Sequence, residues 1–221
     1  ADEGPDLGGK AKTADVTNSN TVQSTGGNGV AIRAPNALLK NNASGTILGN
    51  SGAIEMDTGT INNAGTLSST KIGSVSTVRA AISATVSNSG TILGPDTGFA
   101  ILSPSGRLDI VNSGTIIGDG TGIGIEAAIV NVTNTGTIDT GSHGIVGKTG
   151  TVENFGTIST TAGGSGIKLD AGSVANVGTI QATASDVEVD NGTISNSGLI
   201  SGESGVHPFT FAMINNSGTI Q

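Results

Sequence analysis

Apolar and polar residues alternate in short bursts along this chain, and one burst recurs from end to end. Its reference form is Val152-Glu153-Asn154-Phe155-Gly156-Thr157-Ile158. Further copies start at Val16, Ile61, Val86, Ile110, Val132, Val174, Ile194 and Ile214, and a looser one, Asn42-Ala43-Ser44-Gly45-Thr46-Ile47, carries one extra residue. From the copy at Ile61 onward the glycine falls at 65, 90, 114, 136, 156, 178, 198 and 218, in steps of 25, 24, 22, 20, 22, 20 and 20 residues. A period of roughly 20 to 50 residues marks a solenoid, a propeller or an array.

Within each copy the period is two, with Val and Ile on one side and Thr on the other, which predicts strand rather than helix. Asn-x-Gly between the two apolar runs is turn chemistry, because Asn and Gly tolerate left-handed backbone angles. Each copy therefore predicts strand, corner, strand. Some ten residues later comes a second apolar phrase, usually opened by Gly: Gly29-Val30-Ala31-Ile32, Gly98-Phe99-Ala100-Ile101, Gly122-Ile123-Gly124-Ile125, Gly144-Ile145-Val146, Gly166-Ile167-Lys168-Leu169 and Asp186-Val187-Glu188-Val189. Three short strands per 20 to 25 residues predict an all-β fold, a right-handed parallel β-helix of about ten rungs. Stacked about 4.8 Å apart, these rungs make a rod about 48 Å long.

A single rung cannot bury its own aliphatic side chains, so the core is expected in columns formed by neighbouring rungs. One column runs from Val16 through Ile61, Val86, Ile110, Val132, Val152, Val174 and Ile194 to Ile214; the other runs from Val22 through Ile47, Leu67, Ile92, Ile116, Ile138, Ile158, Ile180 and Ile200 to Ile220. The repeated asparagine predicts a structural ladder of side-chain amides at Asn18, Asn63, Asn88, Asn112, Asn134, Asn154, Asn176, Asn196 and Asn216, each donating to the next. Residues 1–15, with Gly4-Pro5 and Gly8-Gly9, lack the periodicity and are expected to form a flexible arm or a partial cap, leaving 16–221 as the β-helix.

Composition narrows the function. With 37 Gly and 5 Pro in 221 residues, the chain stays below the roughly 25 to 30% that signals low-complexity disorder. It has no Trp or Tyr and four Phe, so the stacking platforms common in sugar and single-stranded nucleic-acid sites are scarce. A net charge of -8 argues against nucleic acid as a partner. Without cysteine there is neither a disulfide nor a zinc-thiolate site. No apolar run reaches the roughly 18 residues that span a bilayer, so no membrane insertion of this segment is expected. The start at Ala1-Asp2-Glu3 suits a mature chain cleaved behind a small residue.

Several stretches imitate functional motifs. Ser142-His143-Gly144-Ile145-Val146-Gly147-Lys148-Thr149 ends like a P-loop but has Ser where the motif needs Gly, and no helical pattern follows. Gly122-Ile123-Gly124-Ile125-Glu126-Ala127 matches the dinucleotide fingerprint outside its strand-turn-helix setting. Asp186-Val187-Glu188-Val189-Asp190 puts three carboxylates on one strand face, to be read as a solvated acidic row or as ligands for a hard cation such as Ca²⁺. His143 and His207 belong to different rungs, and no catalytic pair stands out, so no cofactor, no metal and no enzymatic activity are expected. The least repeat-like segment, His207-Pro208-Phe209-Thr210-Phe211, offers His207, Phe209 and Phe211 as a partner-binding site, or as residues that fill a wide rung.

The Val-x-Asn-x-Gly-Thr-Ile copies at 86–92, 132–138, 152–158 and 174–180 resemble the passenger domains of Gram-negative autotransporters and related surface β-helix proteins, over about residues 16–221. The resemblance implies export to the cell surface or release from it, and a role as an adhesin or stalk with a cell-surface or matrix partner. No motif of the protease or lipase passengers is visible. The chain stops on a consensus strand at Gly218-Thr219-Ile220-Gln221, which fits a truncated chain, a processed one, or a subunit that pairs head-to-tail into a filament. The reading that emerges is a noncatalytic extracellular structural or adhesive solenoid, with a self-assembling surface filament and a glycan-active β-helix enzyme as alternatives. An ice-binding face is disfavoured, because the position after the core Ile varies among Gln, Leu, Ser, Ile and Asp.

Overall fold

The computed structural model describes residues 13–70, 73, 75–208 and 210–221. Among them it contains strands and no helix, joined into a parallel β-solenoid of about nine turns. Every strand pairs in parallel with its counterpart one rung along. Most rungs have a short strand such as Thr46–Gly49 or Thr137–Thr140, then a longer one such as Val30–Asn41 or Ile123–Asn134; toward the C-terminal end the elements run instead as Thr179–Asn196 and as Leu199–His207 with Phe211–Asn216. The longer strand carries the second and third faces, and the pairing lapses between them at Pro35, Asp57, Ala128, Lys148, Asp170 and Asp190. Three strands per rung thus survive as three faces, two of them on one unbroken stretch.

Both expected aliphatic columns form. Ile47, Leu67, Ile92, Ile116, Ile138, Ile158, Ile180 and Ile200 lie in register on the short strands and are wholly buried. On the third face the column is Val16, Leu39, Ile61, Val86, Ile110, Val132, Val152, Val174, Ile194 and Ile214. Leu39 fills the place that the repeat pattern left blank. A third column on the second face runs through Ile32, Ile54, Val78, Ile101, Ile125, Ile145, Ile167, Val187 and Val206. The phrase shifts by two along it: the buried residue is third after the Gly at Ile32, Ile101 and Ile125, and first after it at Ile145 and Ile167.

The three corners differ in how much length they tolerate. From third-face column to short-strand column the spacing is six positions, as from Ile61 to Leu67 or Val152 to Ile158; Leu39 to Ile47, with eight, is the exception. The corner after the short strand is elastic: Ile200 to Val206 takes six positions and Leu67 to Val78 eleven. The varying period of the repeat therefore arises at the other corners, away from Asn-x-Gly.

The Asn-x-Gly glycines are needed for a reason other than the left-handed angles expected of them. Positive φ occurs at Gly73, Gly120, Gly163, Gly172 and Gly192, none of which is an Asn-x-Gly glycine. Instead, a Cβ on Gly136 would stand 2.1 Å from the carbonyl oxygen of Gly114 one rung away, and Gly65, Gly90, Gly114, Gly156, Gly178 and Gly198 are equally close to theirs. Backbone stacks on backbone here. Gly136→Ala is expected to destabilise the rod by about 1–3 kcal/mol, because neither carbonyl nor corner can yield without breaking the adjoining bonds. The measurement is the urea midpoint, with Thr135→Ala on the exposed side of the same corner as the control.

The first strand begins at Ala14 and pairs with Ala37, two residues ahead of the boundary expected at 16, while residues 1–12 lie outside the described part.

Candidate functional site

The asparagine column is the most regular polar feature. Asn63, Asn88, Asn112, Asn134, Asn154, Asn176 and Asn196 each donate through Nδ2 to the Oδ1 of the next, at 2.8–2.9 Å, ending on Asn216. The same Nδ2 also reaches the carbonyl of its own corner glycine and a backbone carbonyl one rung on, as Asn134 does with Gly136 and Thr157, both at 3.2 Å. Two N–H groups serve three acceptors, so one is shared. The column opens at Asn18, which donates to Asn41 at 2.9 Å, and Asn41 donates to Asn63 at 2.8 Å. Asn41, rather than the Asn42 that heads the looser copy, is the ladder member, and its corner carries two extra residues before Gly45 rather than one. Side-chain amides aligned in this way polarise one another. The column is scaffold: the amides of Asn63 to Asn196 are buried and have no edge open to a ligand.

Charged outward side chains concentrate on the second face, in a register column of Arg33, Glu55, Arg79, Leu102, Glu126, Val146, Lys168, Glu188 and His207. The periodicity hides it, because these positions carry no common residue type.

Toward the C-terminal end of this column, Glu188 accepts from Ser165 Oγ at 2.6 Å and from Lys168 Nζ at 2.7 Å. Burial alone raises its carboxyl, but the Lys168 and Ser165 bonds, with a further one from Ser185, outweigh burial and hold it below the usual carboxylate range. His143 Nδ1 accepts the backbone N–H of Ser165 at 2.9 Å, so the ring carries its proton on Nε2. Burial, reinforced by the Lys168 charge and opposed by Glu188, lowers its pKa and keeps it neutral. The neighbouring Asp186 is sealed from solvent; Oδ1 accepts the Ala182 N–H at 2.5 Å and Oδ2 has no partner. Burial, countered by the Ala182 bond, raises its pKa to about 6.

The acidic row expected at Asp186, Glu188 and Asp190 is therefore not a solvated face, because Asp186 and Glu188 are buried and Asp190 stands at the bend beyond them. Nor does it gather ligands: among the described residues no three His, Cys, Asp or Glu side chains are grouped to hold a metal ion. Of the partner-binding candidates, His207 is exposed at the end of Leu199–His207, Phe211 is 68% exposed on the last described rung, and Phe209 lies outside the described residues. The P-loop-like stretch runs from a corner into the strand Ile145–Asn154, with no helix to aim amides at a phosphate. Gly122–Ala127 likewise enters the strand Ile123–Asn134.

At the N-terminal part of the column, a cavity of about 290 Å³ is lined by Arg33, Glu55 and Arg79 together with Ser51, Ser76 and Leu102. Glu55 Oε2 accepts from Arg33 Nε at 2.9 Å and Nη2 at 2.8 Å, and Oε1 from Arg79 Nη1 at 3.2 Å. Between the two clusters Glu126 has Leu102 and Val146 as its register neighbours, and burial raises its carboxyl pKa.

Comparison with protein-family models, with curated proteins and with solved structures finds no match to this chain. Its class is set by the fold: a parallel β-solenoid of repeats.

Proposed function

We propose that the chain is a noncatalytic structural and adhesive β-solenoid that works outside the cell, as an adhesin or stalk that holds a cell-surface or matrix partner. The observation that carries this reading is the contrast between inside and outside. Inner columns and the Asn ladder repeat without a gap, whereas outward positions vary freely and expose large apolar side chains: Ile82, Val111, Phe155 and Val177 are each more than half exposed. Phe155 and Val177 sit side by side at the Asn-x-Gly corner, where most other rungs carry Ser, Thr or Ala. Apolar area of this kind on a rigid rod gains free energy when a partner covers it.

The test is retention of the purified chain on immobilised matrix proteins and on cells, beside incubation with a panel of polysaccharides. Saturable retention that falls about tenfold in the Phe155→Ser, Val177→Ser double variant is expected, with no new reducing ends. Release of new reducing or unsaturated ends, or no retention on any surface, would overturn the reading. A rod mass that grows with concentration would favour the filament instead.

A further inference from the structure

We propose that the cavity around Arg33, Glu55 and Arg79 is a binding site for a small organic carboxylate. The three side chains come from consecutive rungs of one register column, so their heads stand about one rung apart. One carboxylate faces two guanidinium groups, and among the described residues Glu55 is the only acidic one in the lining, so the described lining carries one net positive charge on a chain whose net charge is -8. Each guanidinium has five N–H donors. Glu55 takes two N–H groups from Arg33 and one from Arg79, so unused N–H groups remain on both guanidiniums, whose side chains are 55% and 44% exposed.

The rest of the lining specifies the ligand. Val30, Val75 and Leu102 border the cavity with apolar side chains and Ser51 adds a hydroxyl, while Ile54 and Ser76 lie buried beneath it. A few convergent polar groups over an apolar floor are what small-molecule sites consist of. A planar fork of N–H donors matches a carboxylate. A single net charge favours a monoanion over a dianion, which would leave the cavity negative. Glu55 acts as a built-in competitor: it holds the two arginines in place when the site is empty and shares them when a ligand enters.

The test is titration of the full chain with benzoate, hexanoate and glucuronate, with sulfate as the inorganic control, followed by the Arg33 and Arg79 Nε–H resonances. Saturable shifts with Kd about 1 mM are expected for at least one carboxylate. The Arg79→Gln variant should weaken this about tenfold or more, and Glu55→Gln, which frees both guanidiniums, should strengthen it about tenfold. The opposite signs separate binding from misfolding, and circular dichroism checks that both variants remain β-structured. The proposal is overturned if no carboxylate saturates, if Arg79→Gln leaves the curve unchanged, or if sulfate does as well as the carboxylates.

Discussion

Asn134→Ala is expected to destabilise the rod by about 3–4 kcal/mol, out of the roughly 5–15 kcal/mol typical of a folded domain. The substitution removes three acceptor contacts made by one Nδ2 and takes away the Oδ1 that receives Asn112 Nδ2 at 2.8 Å. It also strips the buried Asn154 Oδ1 of the amide that donates to it, and an unsatisfied buried acceptor costs about 1–3 kcal/mol by itself. Because each rung touches only its neighbours, the loss should appear as local opening of the corners at 112–114, 134–136 and 154–156 before global unfolding. Amide hydrogen exchange resolves this. Asn216→Ala, at an exposed ladder residue whose Nδ2 reaches only the Gly218 carbonyl, should cost much less. Equal and small losses for the two variants would show that the ladder contributes little.

The second large effect has the opposite sign. Asp186→Asn is expected to stabilise the chain by about 3 kcal/mol at pH 7.5 and hardly at all near pH 4. In the folded chain Asp186 has a pKa of about 6 against 3.8 for the free side chain, so folding favours its protonated form. A raised carboxyl pKa gives a contribution that is complete below pH 3.8 and is lost as pH rises through 6; a gap of about two units is worth about 3 kcal/mol. Asparagine keeps an oxygen for the Ala182 N–H and puts a neutral amide where the unpartnered Oδ2 sits. Other acids move the total the other way. Asp109, held low chiefly by its bond to Arg107, and Glu188 both stabilise above the ordinary carboxylate range and lose that contribution as pH falls. The variant-minus-parent difference across pH 4 to 7.5 isolates Asp186, and a flat difference would refute its titration.

The strand pattern, the solenoid and two of the three core columns are legible in the sequence because the Asn-x-Gly corner has nearly constant length, so equivalent residues recur at a spacing the eye can follow. The third column is harder to see, because the elastic corner before it moves Ile145 and Ile167 by two positions relative to the Gly that signals the phrase. Asn41 was masked by the second asparagine beside it, and only the side-chain bonds to Asn18 and Asn63 identify it. The charged column follows no motif. Arg33, Glu55 and Arg79 stand 22 and 24 residues apart with unlike neighbours, and they meet only because three rungs of different length are brought into register. Charge alternating at the repeat period, a cation then an anion then a cation, is the one sequence signal that points to them.

The unequal corners also decide where this rod accepts foreign material. A peptide spliced between Asp96 and Thr97 enters a bend whose length already differs from rung to rung, and it should ride there as an external loop with the stack intact above and below. The same peptide spliced between Ser113 and Gly114 would push two rungs apart where their backbones touch and interrupt the relay of amides. The molecule thus has permissive edges and one intolerant edge, which takes up no more than two extra residues, at Asn41–Gly45, and is the edge spelled most plainly in its sequence.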